Sequence, residues 1–119
     1  MSRALVLLVW VSSSALAQQT SDDWLGPDKA LHFAASAGIA GAGTLGATLI
    51  SDQPAVKLAV GCTLALLAGA GKELLDLAGL GNPSWRDFAW DVVGTFTGAL
   101  TALLIDQLLL APLGRIPVW

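Results

Sequence analysis

The stretch ALHFAASAGIAGAGTLGATLI, residues 30–50, decides the fold. From Phe33 to its end it carries no charge, and its polar side chains are Ser36, Thr44 and Thr48 alone. A helix that is apolar on every side has to be covered on every side. Ser51, Asp52, Gln53 and Pro54 interrupt it, and a second apolar run follows over residues 55–75. After the turn-forming Gly79, Gly81, Asn82 and Pro83, a third run occupies residues 88–110. At about 1.5 Å per residue, helices of this length reach the roughly 30 Å of a bilayer core. A soluble three-helix bundle would leave outer faces in water that these sequences cannot make polar.

The fold class expected is therefore all-α, a small three-helix transmembrane bundle. Composition agrees, with 55% hydrophobic and 13% charged residues in a chain of 119. Six Lys and Arg against nine Asp and Glu leave no basic stripe for a phosphate backbone, so nucleic acid is excluded as a partner. The single cysteine, Cys62, has no internal disulfide partner and lies among apolar residues.

Residues 1–17 read as a secretory signal peptide. Arg3 precedes the apolar run of residues 4–11, then come Ser12, Ser13 and Ser14 and the small-x-small triplet Ala15, Leu16, Ala17. Residues 18–29 form an exposed polar lead-in, residues 30–111 the three-helix membrane domain and residues 112–119 a short tail. Trp24, Trp85 and Trp90 fall at one membrane interface and Trp119 at the other, where amphipathic rings settle. Small residues recur every fourth position: Ala34, Gly38, Ala42 and Gly46; Gly61, Ala65 and Gly69; Gly94, Gly98 and Ala102. Such stripes let helix backbones approach closely, and close packing of the bundle is their plain reading.

An exported residue 18 sends helix one inward, helix two outward and helix three inward. That topology gathers Asp28, Lys29, His32, Lys72, Glu73, Asp76, Ser84, Arg86, Asp87 and Asp91 at the outer, periplasmic face of a bacterial inner membrane. Residues three and four apart share a helix face. Asp28 and His32, Lys72 and Asp76, and Asp87 and Asp91 are such pairs, and the small-residue faces lead into Glu73 and Asp91. Asp106 lies at the opposite end and reads as interfacial. The plain account of the cluster is an ion-pair network joining three helix ends, with Ser84 and Asp87 as a helix cap. Neither an HExxH motif nor paired histidines are present, and the nearby bases oppose a cation, so no metal and no cofactor are expected.

The segments DDWLGPDKALHFAAS (residues 22–36), GKELLD (71–76) and SWRDFAWDVVGTFTG (84–98) together resemble a family of small bacterial envelope lipoproteins known by the name YfiM. The resemblance covers about a third of the chain and implies an architecture and a shared outer polar cluster, not a reaction. The lipoprotein cysteine is absent, which leaves anchoring to the helices. A looser likeness, carried by the DKxxHF opening, is to the VanZ-like membrane proteins, although Asp76 and Asp91 stand where those tend to carry Gln and Asn.

Three functions compete. The first is an envelope membrane protein whose cluster binds an anionic lipid head group or a cell-wall lipid intermediate through Lys29, His32, Lys72 and Arg86. The second is a membrane-interface hydrolase using His32 with a carboxylate, although GxSxG and the motifs of lipid phosphatases are missing. The third is a structural subunit pairing with another membrane protein.

Overall fold

The computed structural model describes residues 23–114. Three helices make up its body: α1 (Pro27–Gly46), α2 (Pro54–Leu75) and α3 (Trp85–Ile105). No strand occurs among the described residues. Proline opens both α1 and α2, where its missing N–H costs no helical hydrogen bond and its φ already suits the helix. Ser84 opens α3, its Oγ accepting from the Asp87 backbone N–H at 3.2 Å. A tight 3-10 turn (Ala47–Leu49) ends α1, and wide π-turns (Asp76–Leu80 and Asp106–Leu110) end α2 and α3. Gly79, inside the first π-turn, takes φ +98, a left-handed backbone that favours glycine.

The lead-in is shorter than the sequence indicates, because the helix begins at Pro27 and Lys29 is buried rather than exposed. Pro27 presets the helical φ, and Lys29 then has a carboxylate on α3 to reach. The signal peptide over residues 1–17, and Arg115 and Trp119 in the tail, lie outside the described residues.

Burial is inverted relative to a water-soluble protein. The fully buried apolar side chains are all alanines, Ala40, Ala47, Ala65, Ala99 and Ala102. Beside them are buried Lys29, Ser36, Thr44, Lys57, Asp76, Ser84, Asp87, Asp91, Thr95 and Asp106. Large apolar side chains, among them Leu67, Leu74, Leu77, Phe96, Leu104 and Leu108, point outward. In water that surface would be a liability and the buried charges a cost without return. The segments Pro54–Leu80 and Trp85–Leu110 are long and apolar enough to cross a membrane. The Ala- and Gly-rich α1, with Asp28, Lys29 and His32 in its first two turns, does not reach the same measure.

Missing side chains hold the helices together. A Cβ on Gly94 would overlap the Phe33 carbonyl and one on Gly98 the Ala37 carbonyl, so α1 and α3 touch through backbone. Gly61 likewise lies against Ala40 and Thr44 of α1. Two of the three small-residue stripes, Gly61/Ala65/Gly69 and Gly94/Gly98/Ala102, thus pack inside. The third does not. Ala34, Gly38, Ala42 and Gly46 face outward, with open space beside Gly38 and Gly46. α1 turns Ser36, Ala40 and Thr44 inward instead, because only that face delivers Lys29 to its carboxylate partner.

Candidate functional site

The polar cluster is assembled from the first turns of α1 and α3 and the last turn of α2. On α1, Lys29, His32 and Ser36 are spaced by three and four residues and share one face. On α3, Asp87 and Asp91 are four apart and point back at them. Lys29 Nζ donates to Asp87 Oδ1 at 2.5 Å and to Asp28 Oδ2 at 2.7 Å. Lys29 and Asp87 are 2% and 0% exposed, so this pair is sealed.

His32 bridges the two α3 carboxylates. Its Nε2 lies 3.2 Å from Asp87 Oδ2 and its Nδ1 2.9 Å from Asp91 Oδ1. A neutral imidazole can donate to one of them only, whereas an imidazolium donates to both. Asp91 Oδ1 also accepts from Ser36 Oγ at 2.9 Å. The other oxygen, Asp91 Oδ2, is buried, receives no hydrogen bond and faces the α2 backbone at Gly69. Gly69 leaves room for that carboxylate, since a Cβ there would stand 2.7 Å from Asp91 Oδ2.

From α2, Lys72 Nζ reaches three carboxylates: Asp76 Oδ2 at 2.7 Å, Glu73 Oε1 at 3.3 Å and Asp87 Oδ2 at 3.5 Å. Its side chain stays 31% exposed at the rim. Glu73 Oε2 accepts the Ser84 backbone N–H at 2.7 Å, tying the end of α2 to the cap of α3. Above them lies an aromatic rim. Trp24 and Trp85 meet edge to face with centroids 4.9 Å apart, and the Arg86 guanidinium stands 5.3 Å and 5.8 Å from the two rings. Trp90 Nε1 donates to the Trp24 carbonyl at 2.8 Å, which fastens the lead-in to α3.

Nine of the residues singled out from sequence, Asp28, Lys29, His32, Lys72, Glu73, Asp76, Ser84, Asp87 and Asp91, are thus joined by direct contacts, and Arg86 stands at the rim. Ser36 was overlooked. Its position four residues after His32 was the available signal, since that spacing places it on the same face of α1. Asp106 is corrected more sharply. It is not interfacial but fully buried, accepting from Lys57 Nζ at 2.6 Å, with both side chains 0% exposed. Gln107 Nε2 donates to the same oxygen at 3.0 Å. A carboxylate near the end of one helix and an ammonium near the start of another, 49 positions apart, are neighbours only through the fold.

Chemically, the cluster shares one carboxylate, Asp91, between a hydroxyl and an imidazole. Ser36 Oγ is hydrogen-bonded to that carboxylate and not to His32, so the pairing of nucleophile and base that hydroxyl attack requires is absent among the described residues. They also hold no grouping of His, Cys, Asp and Glu suited to a metal ion. No known family's sequence profile, no curated protein and no solved structure matches this chain.

Proposed function

We propose that the chain is a small membrane protein of a bacterial cell envelope that spans the inner membrane with three helices behind a cleavable signal peptide. Its polar end faces the periplasm and meets a phosphate-bearing lipid head group through Lys72 and Arg86. The observation that carries this reading is the difference among the lysines. Lys29 and Lys57 are sealed at 2% and 0% exposure, while Lys72 is 31% exposed. An ammonium held at a rim can exchange a carboxylate contact for a phosphate; a sealed one cannot.

The inverted burial and the exposed Trp24 and Trp85 support placing this end at the level of the head groups. Membrane lipids are then the first partners, and a lipid-linked cell-wall intermediate is a second source of the same phosphate chemistry. Kinship with the YfiM-like envelope proteins belongs to the same proposal, resting on the three outer-face segments alone.

Native mass spectrometry of the detergent-released protein tests it. Wild type should retain a phospholipid or lipid-linked adduct, and Lys72→Ala/Arg86→Ala should lose it while keeping its helical circular dichroism. Equal retention by both proteins would sink the head-group site.

A further inference from the structure

Acid exceeds base in the cluster. Asp28, Glu73, Asp76, Asp87 and Asp91 meet two ammonium groups, those of Lys29 and Lys72, and the imidazole of His32. Even with that imidazole protonated and the Arg86 guanidinium counted, one carboxylate charge is left over. A second observation is independent of that count. Three buried carboxylate oxygens, Asp76 Oδ2, Asp87 Oδ2 and Asp91 Oδ2, receive no hydrogen bond. Lys72 stands near the first two, and His32 Nε2 near the second, at ion-pair distances. Asp91 Oδ2, on a residue 3% exposed, has no such neighbour. Buried polar atoms in a native protein are nearly always supplied with a partner. These are acceptors, so what they call for is donors.

From this surplus we infer that the head group taken at this site is zwitterionic and carries a primary amine, a phosphoethanolamine rather than a purely anionic phosphate. The inference rests on the head-group reading above and specifies its ligand class. A phosphoglycerol or diphosphate group would add negative charge to a site already overcharged with it. A phosphoethanolamine divides its charges to match the geometry. Its phosphate meets Lys72 and Arg86 at the rim, and its ammonium, with three N–H donors and no acceptor, turns to the carboxylates below. A trimethylammonium group has the same charge and no N–H, so it offers nothing to those oxygens.

The test is lipid competition on the detergent-solubilised full chain, with short-chain phosphatidylethanolamine, phosphatidylcholine and phosphatidylglycerol titrated separately and retention read by native mass spectrometry. Phosphatidylethanolamine should be held about tenfold more tightly than either of the others. Asp91→Asn, which removes the surplus charge, should shrink that preference to about threefold or less. Asp76→Asn serves the same purpose should Asp91→Asn fail to fold. Equal retention of phosphatidylcholine or phosphatidylglycerol overturns the amine inference and leaves the head-group site standing. Retention of none of the three overturns both, and a preference unchanged in the folded variants overturns the amine inference alone.

Discussion

The two ends of the bundle solve the same problem differently. At one end a single pair, Lys57 and Asp106, joins the start of α2 to the end of α3 and is closed to solvent on both sides. At the other, three helix ends meet in a network with more carboxylates than cations and an ammonium left at the rim. A matched, sealed pair is a pin. A mismatched, half-open network has acceptors to spare and a way in. Both ends use α3, whose Asp87 and Asp106 lie 19 residues apart, about 28 Å along a helix. That rise is close to the thickness of a bilayer core, so both charged layers can sit at its edges.

The contrast can be broken at the pin first. Lys57→Ala leaves Asp106 charged and buried opposite an apolar gap and should cost about 3–5 kcal/mol in thermal or denaturant unfolding. Lys57→Met/Asp106→Leu should recover most of that loss, because two apolar side chains of similar size replace the pair without stranding a charge. A double variant as unstable as the single one would show that the pair does more than hold the helices.

Packing is the next lever. Gly98→Val puts branched carbon into the Ala37 carbonyl and should cost about 1–3 kcal/mol or more, whereas Gly38→Val enters open space and should leave the melting temperature where it is. If both lower it equally, the outward stripe of α1 is not open in the folded protein.

Within the network, Ser36→Ala removes a donor to Asp91 and should cost about 1 kcal/mol, read from the same unfolding curves. Lys72→Ala should have the smallest effect on stability, under about 1 kcal/mol because the lysine is partly exposed, and yet a large one on lipid retention. A stability loss as great as that of Lys57→Ala would make Lys72 a second pin and remove the distinction between the ends.

The positions of the three helices were legible in the sequence because the signals are local. Apolar runs are cut by Pro54 and by the Gly79 to Pro83 turn, and Ser84 sits where a cap is needed. The residues of the polar end were legible too, since short helices joined by tight turns bring Asp28, Lys72 and Asp87 to one end whatever the packing. Which way each helix faces was not. α1 offers two small-residue stripes one position apart, Phe33/Ala37/Gly41 and Ala34/Gly38/Ala42, with nothing local to choose between them. The choice fell to contacts with α3, where Gly94 and Gly98 receive the carbonyls of Phe33 and Ala37.

By itself, then, the sequence determined that this chain makes three apolar helices with charge concentrated at one end, because hydropathy and turn residues act over a few positions. The tertiary structure alone decided that Asp106 is paired with Lys57, that Ser36 joins His32 on Asp91, and that Lys72 is the exposed lysine of the polar end. Pairings across 49 or 55 positions depend on how helices rotate against one another, and that rotation is settled by backbone contact at glycines and by burying every charge that can find a partner.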